Sequence, residues 1–230
     1  MQPPFPLCGR ADYDAAAMPP TTIVWFRHDL RLDDHPALAA AAARGAVVPV
    51  FIWAPEEESP WEPGAASRWW LHQSLEKLSA ALAKAGAPLL IRRGPSLEAL
   101  EKIAQECSAT HVVWNRRYEP KVIARDTAIK KALVAGGLEA ESFNGSLLYE
   151  PMHVATKEGK PYQVFTPFWR SLLAREEPAE PAAAPKKLVP AGGKPKSLTI
   201  ESLGLLPKID WAATRSEEHT SELQSPCNLV

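Results

Sequence analysis

Beyond residue 21 the chain alternates two hydrophobic patterns. Short apolar runs rich in β-branched residues occupy 22–26 (TIVWF), 46–53 (AVVPVFIW), 88–92 (PLLIR) and 110–115 (THVVWN), and 138–143 reads as a fifth strand. Helical stretches lie between them. Pro36 opens an Ala-rich helix that closes at Gly45, with proline at the first turn and glycine past the end. Residues 67–84 carry Leu71, Leu75, Leu78 and Leu82 on one stripe and end at Gly86. Ser96 is placed to cap a third helix, with Glu98 and Glu101 near its positive end and Leu97, Leu100, Ile103 and Ala104 facing inward. Pro120 begins a fourth, stopped by Gly136 and Gly137. Strands that are apolar at consecutive positions need cover on both faces, and intervening helices make parallel crossovers the simplest connection. The pattern predicts an α/β domain over residues 21–150: a doubly wound, roughly five-stranded parallel sheet of Rossmann-like type. No GxGxxG follows any strand, so a dinucleotide fingerprint is missing.

The flanks differ from this core. Residues 1–20 are Pro- and Ala-rich without period, and Met18 is the expected true start, which makes 1–20 a disordered or mis-assigned extension. Residues 151–214 form an interdomain segment. Within it, 162–175 (YQVFTPFWRSLLAR) reads as an extended piece entering a helix, with Thr166 as cap and Pro167 in its first turn. Residues 176–195 are Pro/Ala/Lys-rich and read as a linker. The stretch 196–230 beyond it is too short to bury a second core.

Composition narrows the function. The net charge of −1 lacks the basic excess of a domain that grips a phosphate backbone by itself. Cys8, Cys107 and Cys227 have no CxxC spacing and the six histidines are dispersed, so neither a disulfide framework nor a metal site is predicted. No apolar run reaches bilayer length, and no signal peptide opens the chain. The expectation is a soluble cytoplasmic protein with no membrane partner.

Ligands of open parallel sheets sit outside the carboxyl ends of the strands. That rule selects Arg27, His28, Asp29, Leu30 and Arg31 after the first strand, residues 54–61 after the second, and Asn115, Arg116, Arg117, Tyr118 and Glu119 after the fourth. Guanidiniums, carboxylates, an amide and aromatic rings together suit a flat, polar, partly anionic ligand. Arg27, Asp29 and Arg31 equally suit an ion-pair cluster that holds the loop. Trp25, Trp53 and Trp114 lie within strands, where core packing is expected. Asp33 and Asp34 read as helix-start residues. Trp69 and Trp70 must point in different directions, and Lys130 and Lys131 mark a solvated face. No nucleophile–base set, metal cluster or phosphate loop is present in the sequence.

The stretch WFRHDLRLDD at 25–34 with Ala37 and Leu38, NRRYEP at 115–120 with Arg125 and Asp126, and VFTPFW at 164–169 together resemble the photolyase/cryptochrome family, over about residues 22–211. The resemblance implies that this half binds a light-harvesting antenna, while a larger helical half, absent here, binds FAD and damaged DNA. In such an enzyme the antenna passes excitation energy to reduced flavin, which donates an electron to a cyclobutane pyrimidine dimer and splits it. FAD then belongs to the full-length parent only, and this part alone is expected to be inactive. The antenna-site candidates are Arg27, Asp29, Arg31, Trp53, Ala54, Asn115, Arg117, Glu119 and Lys121. Folate-binding relatives carry an Asn-Glu pair where this chain has Lys121 and Val122, yet methenyltetrahydrofolate ranks first by family frequency, ahead of a deazaflavin or a second flavin. A blue-light receptor of the cryptochrome type and a stand-alone chromophore- or nucleotide-binding module are the alternatives. Residues 215–225 resemble the in-frame translation of a common sequencing adapter, so 215–230 is expected to be a non-native tail.

Overall fold

The computed structural model describes residues 19–209 apart from 157, 179 and 194. The expected N-terminal extension up to Met18, the adapter-like tail, Cys8 and Cys227 lie outside the described residues. Five parallel strands form the sheet: β1 (Thr21–Phe26), β2 (Ala46–Trp53), β3 (Leu90–Arg93), β4 (His111–Asn115) and β5 (Glu139–Phe143). Their order is β3-β2-β1-β4-β5. The chain winds outward from β1 through β2 to β3, then returns to β1's other side for β4 and β5. The strand order therefore reverses between β1 and β4, and the loops there open into a crevice.

Helices α1 (Pro36–Arg44), α2 (Ala65–Ala85), α3 (Ser96–Cys107) and α4 (Pro120–Ala135) are the crossovers. Side chains of β1 alternate between two separate cores. Val24 and Phe26 pack with Ala37, Leu38 and Ala41 of α1 and Leu75, Leu78 and Leu82 of α2. Ile23 and Trp25 pack with Leu100 and Ile103 of α3 and Ile129 and Leu133 of α4. That division is why the run TIVWF is apolar at consecutive positions. Gly45, at the end of α1, has φ 155°, and a Cβ there would stand 2.8 Å from the Pro20 carbonyl oxygen. Only glycine lets α1 turn this closely into β2.

Four local expectations are corrected. Ser96 does not cap α3 but occupies its first turn, with Pro95 at the N-cap. Its N–H and hydroxyl donate to the two carboxylate oxygens of Glu57 at 2.6 and 2.7 Å, so the cap is an acid from elsewhere in the chain, favoured by the helix dipole. Asp33 and Asp34 do not start α1. His35 caps it, Nδ1 accepting from the Leu38 N–H at 3.0 Å, while the two aspartates accept from the backbone of Ala184 and Ala182. Thr166 does not cap the helix that follows: α5 (Phe165–Leu173) begins two residues earlier than that cap implies, with Val164 at the N-cap and no side-chain cap. Pro167 still falls in the first turn, where a missing N–H costs nothing.

The fourth correction concerns the supposed linker. Beyond the aspartate clasp, the Leu188 N–H donates to the Ala85 carbonyl at 2.8 Å and its side chain is 2% exposed. β6 (Val189–Pro190) then adds to β2 in parallel, and Leu198 and Ser197 bond the Ile91 carbonyl and N–H on the outer edge of β3. Leu203 and Leu205 finish the core on the α1/α2 face. The segment is a strap whose few leucines lie too far apart to show a period. It also covers an edge strand that would otherwise present unpaired backbone groups. Replacing Leu188 with Ala should destabilise the domain by about 2–5 kcal/mol, the usual cost of emptying a buried leucine site, as measured by urea denaturation. A change below about 1 kcal/mol, well under that range, would mean the strap is not part of the folded unit.

Candidate functional site at the carboxyl ends of the strands

Arg27 follows directly on β1 and is 6% exposed. One terminal nitrogen lies 2.5 Å from Asp126 of α4, and the other donates to the Asn115 carbonyl at the end of β4. Asp29 turns back to accept the Arg27 N–H at 2.9 Å and the Asn115 side-chain amide at 2.7 Å, and lies 2.9 Å from His35 Nε2. The Asn115 side-chain oxygen accepts the first free N–H group of α1, from Ala37. A Cβ on Gly145 would meet the Asn115 side chain at 2.5 Å, so glycine is required for that loop to close over it. Arg31 donates to the carbonyls of Asp33, Asp34 and Gly145.

A second set of charges extends from Asp126 across the strand ends. Arg125 bonds Asp126 at 3.0 Å and reaches Glu57 and Glu58, which sit on a one-turn 3-10 helix, Pro55–Glu58, after β2. Arg117 grips Glu58 through two bonds of 2.6 and 3.0 Å and Glu119 at 2.8 Å. The neighbouring Arg116 points the other way and is held by Glu150 and the Ser142 carbonyl, so it is a scaffold residue. Charges alternate from Arg27 to Glu119, which lets several partly buried ions share partners.

Above this network lies a cleft with three lobes, all lined by His28 and Pro63. The innermost is a recess of about 70 Å³ floored by Trp25, Arg27, Ile52, Trp53 and Ala54. A lobe of about 650 Å³ runs between Trp61 and Ser67 on one side and Arg117, Glu119 and Lys121 on the other. A third, of about 700 Å³, lies between Asp29 and Arg31 and the Trp70 face of α2. Of the nine candidates, Arg27, Asp29, Arg31, Trp53, Ala54, Arg117, Glu119 and Lys121 line one lobe or another. Asn115 lines none; its amide instead ties Asp29 to α1. Trp25 and Trp114 pack in the core, edge to face at 5.9 Å. Trp61 is 84% exposed and Trp70 45%, so both stand at the rim.

Sequence reasoning passed over several lining residues. His28 was visible inside the first-strand loop but not singled out, and no hydrogen bond from a described residue holds its ring at the junction of the lobes. Glu58 fell inside the selected stretch 54–61 but was not carried into the candidate set, and Pro63 and Ser67 were missed because nothing local marks the turn after β2 as a wall. Among the described residues no group of three or more His, Cys, Asp or Glu is arranged to hold a metal ion.

The electrostatics of the loop give two opposite signatures. Burial raises the Asp29 carboxyl, but His35 and two backbone N–H groups outweigh it and bring it to about 2 from an ordinary 3.8. Its stabilisation is fully present above pH 3.8 and lost as pH falls toward 2, about 2 kcal/mol in all. Burial, reinforced by Arg117, lowers His28 below its ordinary 6.5. The unfolded chain therefore takes up that proton first, and stability declines as pH drops below 6.5. His28→Gln should remove the decline just below pH 6.5 in a series of urea denaturations, and Asp29→Asn the loss between pH 3.8 and 2. Unchanged profiles in either variant would show that the loop is not ordered as described.

The geometry has clear relatives. A family model described as DNA photolyase matches residues 22–186. The chain is 47% identical over 197 residues to a deoxyribodipyrimidine photo-lyase of Agrobacterium fabrum, covering 85% of this chain and 40% of the relative. It is 43% identical over 188 residues to cryptochrome-2 of Arabidopsis thaliana, covering 80% of this chain and 31% of that protein. The crystal structure of a bacterial class III photolyase from Agrobacterium tumefaciens superposes with TM-score 0.81 at 44% identity, over 88% of this chain and 42% of that one. The chain thus spans about two fifths or less of the length of these relatives. Its fold and its sequence place it in the DNA photolyase family.

Proposed function

We propose that this chain is the antenna-binding α/β part of a light-driven DNA repair enzyme, a deoxyribodipyrimidine photolyase that splits cyclobutane pyrimidine dimers. The observation that carries the reading is the three-lobed cleft at the strand-order reversal, where such sheets bind flat ligands. Its lobe of about 650 Å³ falls within the roughly 300–1,000 Å³ of ordinary small-molecule pockets. The lining fits a heteroaromatic chromophore. Trp61 and Trp70 offer ring faces at the rim, and Arg117, Lys121, Glu119 and His28 offer polar contacts within. Methenyltetrahydrofolate is the first choice, with a deazaflavin or a flavin behind it. When bound, the antenna supplies absorption of light and transfer of its excitation energy. The protein's residues hold the ring, and the ion network beneath keeps them from collapsing inward.

FAD and damaged DNA are assigned to the helical half that accompanies this domain in the family, within the cytoplasm. The docking face for that half is an apolar groove of about 840 Å³ lined by Leu148, Tyr162, Phe168, Trp169, Leu172 and Leu173. Phe165, stacked on Trp169 beside the groove, and Leu173 within it are 69% and 67% exposed. A cryptochrome is the alternative, on the 43% identity to the Arabidopsis protein, but the match to the Agrobacterium photo-lyase, at 47%, supports the photolyase reading more.

Titration of the purified chain with methenyltetrahydrofolate should give saturable binding with a shifted absorption band, and Arg117→Ala should weaken it about tenfold or more, because its loss frees Glu58 and opens the wall of the lobe. No binding of the folate, a deazaflavin or a flavin would overturn the antenna reading. The chain alone should split no pyrimidine dimers under blue light, measured by recovery of thymine absorbance. Activity without a helical half would overturn the assignment of flavin and DNA.

A further inference from the structure

One wall of the apolar groove includes Leu147 and Tyr149, ahead of α5 in the chain, and another includes Arg175 and Pro178, behind it. No residue of α5 is buried, so packing against the sheet does not set where the helix lies. The flanking segments set it instead. The Tyr149 hydroxyl donates to the Glu176 carbonyl at 2.7 Å, and Arg175 donates to the His153 carbonyl. These bonds tie the two walls to each other but not to the sheet.

Arg31 makes that connection. Its Nη2 donates at 2.6 Å to the carbonyl of Gly145, 114 residues away in the chain and just ahead of the first wall. Gly145 is itself seated against the Asn115 side chain at the end of β4. The same nitrogen donates to the Asp34 carbonyl at 2.9 Å, and Nε to the Asp33 carbonyl at 3.1 Å. Those two aspartates hold the strap just beyond the second wall. The Asp34 N–H donates to the Ala182 carbonyl at 2.7 Å, and its carboxylate accepts the Ala182 N–H at 3.3 Å. The Asp33 carboxylate accepts the Ala184 N–H at 3.2 Å. Asp34 has φ 47°, in the left-handed region that a residue with a Cβ seldom adopts unless it is held there. The strap holds it on one side and Arg31 on the other. Two of the Arg31 bonds also knot its own loop, but a loop knot has no need of Gly145.

We infer that Arg31 is the positioning residue of the docking face: by joining Gly145 to the aspartate clasp it fixes both walls of the groove, and α5 with them, against the strand ends. The inference rests on the groove being a docking face, and it adds which side chain sets the position of that face. A planar guanidinium suits the role, because it presents several donors in fixed directions. Arg31 also lines the lobe beside Trp70, so the cleft and the docking face share one side chain.

The test compares the full chain with its Arg31→Ala variant by amide hydrogen exchange, and by the Trp169 indole N–H resonance in protein labelled with ¹⁵N-tryptophan. Loss of the charged donor should speed exchange about tenfold at Leu147, whose N–H is held by Asn144 on the first wall, and at Ala182 and Ala184 in the clasp. Amides of β1 and β2 should keep their rates, and the Trp169 resonance should move. Faster exchange confined to residues 29–36, or an unmoved Trp169 resonance, overturns the inference: Arg31 then knots its own loop and no more. Should Arg31→Ala fail to fold, the Arg31 Nε–H of the unmodified protein decides. Slow exchange there upholds the bonds to the clasp, and rapid exchange overturns them. No partner enters these measurements, so a negative result leaves the docking reading standing. Failure of that reading would show instead as a helical half that does not bind the chain.

Discussion

The buried guanidinium of Arg27 is the constraint around which the strand ends are organised. It sits where the sheet reverses its order and binds β1 to the last residue of β4 and to Asp126 of α4. Asp29 and Asn115 extend the same network to α1. Burial pulls the guanidinium's pKa below its ordinary value, and Asp126 opposes that shift. A charge in this position is tolerable only when its partners are fixed, because desolvation is large and one lost partner leaves an uncompensated ion. Rigid partners in turn fix the loops, and the loops form the walls of the cleft. Stability of the crevice and its chemistry are therefore set by one set of residues.

Much of the fold was legible because it depends on local pattern. The five strands, the four crossover helices and the glycine stops followed from runs, stripes and caps that each occupy a few consecutive residues. The misreadings share a different cause. Ser96, Asp33, Asp34 and Thr166 all have the chemistry of helix caps, but the first three are claimed by groups distant in sequence: Glu57, or the strap backbone near Ala182 and Ala184. Propensity names what a side chain is able to do and leaves open which of several partners reaches it. The strap was illegible for the opposite reason. Its affinity for the domain comes from Leu188, Leu203, Leu205 and a few backbone bonds, none of which forms a period.

The cleft that makes the candidate site was legible in outline. Strand-end geometry places ligands at the carboxyl edge, and eight of the nine candidates line the cleft there. Asn115 shows the limit of that rule: a polar residue at a strand end can serve to hold the loops together rather than line the cleft. His28 shows the converse, since a single histidine in a charged loop gives no sign that its ring stands free. The glutamates after β2 acquire meaning only when Arg117 and Arg125 approach from β4 and α4.

The strap has a kinetic consequence. Parallel sheets with distant pairings already fold slowly, because loops must close before contacts form. Here the strand added to β2 lies more than a hundred residues further along the chain, and the bonds to the β3 edge come later still. During synthesis the sheet, once out of the ribosome, must wait for residue 198 before the β3 edge is covered. In that interval β3 offers bare backbone to any neighbouring strand, which is the stage at which two nascent copies would pair with each other rather than with themselves.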